Sequence, residues 1–313
     1  MDRFSYMLRR LAQTVPVVFG VTILVFFLIH LVPGDPARTM LGLRATDARV
    51  AQLHHQWGLD RPLPVQYGLF MKHLVHGDLG SSIYYNSSAA SLIVDRLGPT
   101  LWLLAYTTVL SILIAVPLAT IAATKKDSFR DQVVRVIPLT GLGMPAFWVG
   151  IMLILFFALK LRWFPVAGYG TGFAGHLHAM FLPSLTVTLA IAPILIRSLR
   201  ASMLNVLEAD YVTTARSKGL PERRVLVRHV LRNAVISTVT VLGLNIGFLV
   251  GGTLIVEKVF ALPGIGALMV DSIFNRDFPV VQGITLVFAI LVVLINLTTD
   301  IVYSLLDPRV KFD

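Results

Sequence analysis

Six apolar runs, each free of Asp, Glu, Lys and Arg, set the pattern of this chain: residues 11–32, 100–124, 136–159, 179–196, 233–256 and 278–299. A helix needs roughly 20 apolar residues to cross the core of a bilayer. In that medium each backbone amide must be satisfied within its own segment, so each run is predicted to be helical. The first run is 22 residues long. A cleavable leader has a shorter apolar stretch and a small-residue cleavage site, so this run reads as a retained span. The fourth run is the weakest, being short and holding Pro183 and Pro193. The predicted class is all-α, a polytopic membrane protein with six transmembrane helices. Residues 1–32 carry the N-terminal stretch and first span, 33–99 a large outer segment, 100–306 a five-helix core with an internal loop at 197–232, and 307–313 a tail.

The polar connections have patterns of their own. In 33–99, Thr46 is placed to cap a helix running to Trp57, with Gly58 as its stop. Residues 61–77 begin after prolines and read as an amphipathic helix. Packing on the rest of the domain is the ordinary use of such a stripe, and docking of an outside partner the sharper one. Residues 257–277, "EKVFALPGIGALMVDSIFNRD", are punctuated by Pro263, Gly264 and Gly266. This segment is predicted to re-enter the membrane or cap a translocation route. Glu257, Pro263, Gly264 and Asp277 are its candidates for an external gate or a docking site.

Composition agrees with the pattern: 56% hydrophobic, 14% charged, mean hydropathy +0.76. Soluble domains are about 25% charged. There is no cysteine, which excludes disulfides and thiolate metal sites. The net charge of +10 matters through its location. Lys and Arg number three in the N-terminal stretch, four in 125–135, eight in 197–232 and two in the tail. The short opposite connections hold only Lys160 and Arg162, then Lys258 and Arg276. Basic residues collect on the cytoplasmic side, which predicts cytoplasmic termini and a cytoplasmic 197–232 loop. The six basic residues of 33–99 count little because that loop is long. No nucleic-acid partner is needed to explain the charge.

Catalytic patterns are missing. Lys218 precedes Gly219, the wrong order for a phosphate-binding loop, so the chain carries no site of its own for ATP hydrolysis. There is no H-E-x-x-H or G-x-S-x-G. The histidine pairs 54/55, 73/76 and 176/178 lack acidic or thiol companions, so no metal site is assigned. Polar residues are rare in the spans. Asn245 and Asn296 are candidates for a translocation path, against a structural use as interhelical hydrogen-bonding groups. Asp300 lies near the interface, where a structural role is expected. Gly243, Gly247, Gly251 and Gly252 allow close helix packing or a bend.

The densest charge lies in residues 208–234, "EADYVTTARSKGLPERRVLVRHVLRNA". The stretch is too long for a turn. It is predicted to form one helix continuing from the fourth span to about Lys218, stopped by Gly219, and a second with Pro221 at its first position. Small and aromatic side chains punctuate the first helix at Tyr211, Thr214 and Ala215. A short rigid helix with such knobs suits a groove on a partner and can transmit that partner's motion.

This stretch resembles the coupling loop of bacterial ABC-importer permeases of the dipeptide, oligopeptide and nickel group. The general motif is E-A-A, three residues, then glycine. Gly219 takes the glycine, and Thr213, Thr214 and Ala215 take the first three positions, so no glutamate role carries over. Thr214 to Gly219 match the T-A-R-x-K-G form of the peptide group. "HLVPGDPAR" (30–38), "GLDRPLPVQY" (58–67), "HGDLGSS" (76–82), "LPSLT" (182–186), "VEKVFALPGIGALMVDSI" (256–273), "RDFPVVQG" (276–283) and "DPRV" (307–310) extend the resemblance almost end to end. "PGDPAR", and "VEKVF" with "LPG", are most similar to dipeptide and glutathione members.

The resemblance implies a type I importer permease in the bacterial inner membrane. A second homologous permease would pair with it, two ATPase subunits carrying ATP and Mg would bind below, an extracytoplasmic binding protein would deliver peptide, and lipid would surround it. Asp210, Tyr211, Thr214, Ala215, Arg216, Lys218 and Gly219 would contact the ATPase, with Tyr211, Thr214 and Ala215 as the buried core of the contact. No catalytic residue and no cofactor in this chain are implied. Nickel or a haem-like ligand is the alternative cargo, although the spans offer no ligand set apart from His30. A secondary transporter would show inverted repeats and ionisable midplane groups, and neither is visible.

Overall fold

The computed structural model describes residues 3–31, 34–42 and 45–306, with side chains from residue 12 onward apart from Pro36. The predicted tail 307–313 lies outside the described residues, as do the side chains of Arg3, Arg9 and Arg10. Helix α1 (Arg3–Leu31) is followed by α2 (Pro36–Leu41), α3 (Asp47–Trp57), α4 (Leu63–Val75) and a two-stranded hairpin, β1 (Ser81–Ser82) with β2 (Ser87–Ser88). Then come α5 (Ala89–Thr124), α6 (Phe129–Leu142), α7 (Ala146–Leu153) with a π-helical end (Ile154–Lys160), α8 (Gly172–Leu207) and α9 (Asp210–Ser217). A short α10 (Glu222–Arg224) and a π-helical stretch (Val225–Leu231) run into α11 (Arg232–Val259), followed by α12 (Ile265–Phe274) and α13 (Phe278–Leu306).

Among the described residues, five helices are long and apolar enough to cross a membrane, and α6 with the α7 arm makes a sixth when taken as one bent span. The third span is therefore not the straight helix predicted for 136–159. Its two arms meet at 104°. Pro145 cannot donate to a carbonyl one turn back, and Gly141 and Gly143 are poor helix formers, so the ladder fails there.

The fourth span, the weakest by sequence, is the centre of the bundle. Its apolar window is 72% buried, against 22–28% for the other four long spans. Pro183 and Pro193 lie inside α8 without breaking it. Pro193 leaves the Leu189 carbonyl without its intrahelical donor. Gly141 of α6 packs there, and a Cβ at that position would stand 3.0 Å from the Leu189 oxygen. The close approach favours glycine.

Among the described residues, three apolar clusters lie along the bundle. At the basic-loop end, Ala119, Ala122, Val134, Leu199, Met203, Val212, Ala215 and Val230 pack together. Leu103, Ile154, Met180, Leu182, Val256 and Phe260 form a second cluster. Ala89, Ile93, Ile265, Leu268, Val280 and Ile284 form the third, at the far end. Gly243 packs on Thr299, whose side chain would overlap a Cβ there, so close packing is the use of that glycine.

The far-end segment follows its sequence signals. Thr46 Oγ1 accepts from the Arg49 N–H at 3.4 Å, and Gly58 ends α3 at φ +65°. Helix α4 occupies the middle of the stretch predicted at 61–77 and lays its stripe on α1. Tyr67 and Phe26 rings meet at 5.4 Å, and Gln66 Oε1 accepts from His30 Nε2 at 2.9 Å. Intramolecular packing is thus one use of that stripe. The end of 33–99 is not loop: α5 begins at Ala89.

Candidate functional site

The basic loop is built differently from its prediction in two respects. No single helix runs from the fourth span to Lys218. Helix α8 ends at Leu207, Ala209 is extended (ψ 141°), and α9 starts afresh at Asp210. Residues Glu208 and Ala209 form a corner that turns α9 away from the α8 axis. Gly219 then stops the helix at φ +75°, in open space, as predicted. Pro221 caps α10 rather than occupying its first position.

One face of α9 is already used. Val212 is fully buried and Ala215 is 6% exposed, both within the chain's own apolar cluster. Ala215 therefore faces this chain's own bundle, although the resemblance implied that it lies in the core of an ATPase contact. A three-residue step along a helix keeps Val212 and Ala215 on one side. Asp210, Tyr211, Thr214, Arg216, Lys218 and Gly219 are exposed. Arg216 reaches Glu222 through two hydrogen bonds, at 2.8 and 3.2 Å. That pair staples α9 to the start of the next helix, and hydrogen bonding to Glu222 raises the Arg216 pKa further. The result is a short helix seated on the bundle by small apolar side chains, with a polar and aromatic face turned outward.

The platform beneath α9 carries no local sequence signal. Asp131 of α6 is fully buried and accepts two hydrogen bonds from the Arg200 guanidinium of α8, each 2.6 Å. Arg135 adds a third charge at 3.7 Å. The residues are 69 positions apart, so only the fold brings them together.

At the opposite end, the 257–277 segment folds over a buried carboxylate. Glu257 is fully buried; it accepts from Thr100 Oγ1 at 2.7 Å and from the Ala267 N–H at 2.8 Å. Thr100 in turn accepts from the Ile265 N–H at 3.0 Å. Gly264 and Gly266 press against this carboxylate, and a Cβ at Gly266 would stand 2.9 Å from Glu257 Oε2. Pro263 lies in the turn before α12. Asp277 is 2% exposed and accepts from Ser82 of the hairpin. Both carboxylates are buried and hold the far end together from within. Burial raises the Asp277 pKa, partly offset by the Ser82 hydrogen bond.

The two path candidates separate. Asn245 donates to the Val241 carbonyl of its own helix at 2.7 Å and is half-buried. Asn296 is exposed on α13 among apolar neighbours such as Leu294.

Two family models together span almost the whole chain. The "Binding-protein-dependent transport system inner membrane component" model matches residues 115–312, and its N-terminal companion matches residues 3–104. The chain is 39% identical over 308 residues to the glutathione transport system permease protein GsiC of Salmonella choleraesuis, covering 98% of this chain and 99% of that protein. It is 40% identical over 309 residues to GsiC of Escherichia coli K12.

The chain belongs to the permease family of binding-protein-dependent importers.

The solved inward-facing MetNI methionine ABC transporter has the same fold, at a TM-score of 0.59 and 16% identity, covering 69% of this chain and 96% of that one. The permease is thus an all-α, multi-pass inner-membrane subunit of an ABC importer with the type I fold. Membership in this family implies an ATPase and a solute-binding protein as partners.

Proposed function

We propose that this permease imports glutathione or short peptides, driven by separate ATPase subunits that engage the outer face of α9. One observation carries the mechanism: α9 buries Val212 and Ala215 in its own bundle and presents Tyr211, Thr214 and Lys218 to solvent. A helix seated in this way moves as a rigid body when its exposed face is pushed. The similarity to GsiC over nearly the whole chain supports the cargo class.

In this reading, ATP and Mg stay on the two ATPase subunits, and this chain performs no chemistry. Basic-residue bias supports a cytoplasmic 197–232 loop, cytoplasmic termini and an outer 33–99. A second homologous permease completes the path, with lipid around the pair and no nucleic acid involved. Non-helical backbone at membrane depth is tolerated only where protein or water covers it. The exposed bend at residues 142–145 therefore faces the path or the second permease rather than lipid. Asn296 is a path candidate, and residues 257–277 form an external gate held closed on Glu257.

The test is uptake by membrane vesicles that hold the complete complex. ATP and the binding protein together should drive accumulation of labelled glutathione or dipeptide. Accumulation of nickel or haem instead would reassign the cargo. Uptake driven by an ion gradient without ATP would overturn the mechanism.

A further inference from the structure

The platform under α9 has a feature that packing alone does not require. Asp131 sits in the first turn of α6, where Ser128 Oγ accepts from its N–H at 3.3 Å. Its carboxylate accepts from the Asp127 N–H at 3.0 Å and from two nitrogens of Arg200. Every oxygen is engaged and the group is fully buried. A buried ion pair is a weak source of stability, because desolvation offsets the attraction. A bidentate pair does fix an angle between two elements. Here it fixes α6 to α8, little more than two turns before the corner that launches α9. Lys126 and Glu208, 3.8 Å apart, add an exposed tether across the same junction. Helix α6 is also the arm of the bent span that begins at this end.

We propose that the Asp131–Arg200 clamp is a positioning element for transport: it makes α6 move with α8 and α9, so that displacement of α9 is taken up at the bend between α6 and α7. This rests on the reading of α9 as the helix an ATPase engages. Neither side chain touches cargo or nucleotide in this account; both act through the helices they join.

The permease has no native cysteine, so one introduced pair is unique. In the reconstituted complex, Asp131→Cys with Arg200→Cys should leave ATP hydrolysis running while cargo moved per ATP falls on the order of tenfold, a typical allosteric coupling. A short bis-methanethiosulfonate linker joining the two thiols should restore import. A merely structural pair would not be rescued in ratio while hydrolysis stayed constant. Normal import per ATP in the unlinked variant would overturn the proposal. If that variant fails to assemble, spin labels at Arg130→Cys and Ser217→Cys, both exposed, decide the matter with the clamp intact. Their separation should be the same in nucleotide-free and ATP-bound complex, and a resolved change would overturn the proposal. Thr214→Arg serves as the parallel arm. Coupled import in that variant overturns the reading of α9 itself, whereas uncoupling there beside normal coupling in the clamp variant overturns the clamp alone.

Discussion

Thr100 Oγ1 donates to Glu257 Oε1 across 2.7 Å, joining two helices whose residues lie 157 positions apart. Both side chains are fully buried. The pair closes a network in which a carboxylate anchors the turn into α12 through the Ala267 N–H. Glu257→Ala should cost about 2–5 kcal/mol, because it opens a cavity and strands two donors. Gly266→Ala should cost about 1–3 kcal/mol through overpacking against Glu257 and Leu254. Unfolding of the detergent-solubilised permease measures both. Loss within a few tenths of a kcal/mol in either variant would contradict the network.

Gly219 tests backbone rather than packing. Its φ is +75° and nothing lies within 4 Å of the place a Cβ would occupy, so only conformational strain opposes a side chain. Gly219→Ala should destabilise the α9–α10 turn by about 1 kcal/mol. Gly219→Asn should be milder, since asparagine tolerates the left-handed region. Protease sensitivity of the loop should rank valine above alanine above asparagine at this position.

Acid should act on the outer segment in two opposite ways. Burial opposes ionisation of Asp35, but hydrogen bonds from His54 and from the Ala37 and Arg38 N–H groups outweigh it and lower its pKa. Asp78 is lowered chiefly by the Gly80 N–H, and further by His73, against a desolvation penalty. A lowered carboxylate stabilises the fold above the ordinary value of 3.8 and loses that contribution as pH falls below it. Asp277 is raised, so its contribution is greatest at low pH and declines as pH rises through the folded value. Asp277→Asn should therefore gain stability relative to the parent at neutral pH and not at pH below 3.8, while Asp35→Asn should lose stability at neutral pH. Hydrogen exchange of residues 35–88 across that range checks the signs.

The bend of the third span predicts an unusual response to helix formers. Gly143→Ala with Pro145→Ala removes two of the three breakers, leaving Gly141 on the Leu189 carbonyl, and should straighten the α6–α7 junction. Stability should hold or rise, and import should fall. Unchanged import would show that the bend has no part in transport.

Much of this was legible in the sequence. Apolar runs marked the five long spans, Thr46 and Gly58 the limits of α3, and Gly219 the end of α9. Local signals such as caps and left-handed glycines act over a few residues and so survive without the fold. What was illegible depended on partners far along the chain. Pro183 and Pro193 made α8 look weak, yet neighbouring helices cover it, and Gly141 packs on a carbonyl that Pro193 frees. Ala215 read as an outward knob because the α8–α9 corner, which decides the buried face, has no strong breaker in Glu208 and Ala209. Asp131 looked like one more charge in a basic connection until Arg200 was brought to it.

On the proposed mechanism, force enters this permease through the exposed face of α9. The most direct measurement is cargo imported per ATP hydrolysed in the reconstituted complex carrying Thr214→Arg, compared with Ala215→Arg. Thr214→Arg should insert and assemble normally, hydrolyse ATP and import little. Ala215→Arg should fail earlier, as lost folding or assembly, because it places a charge in the apolar cluster. Fully coupled import by the Thr214→Arg complex would contradict the account.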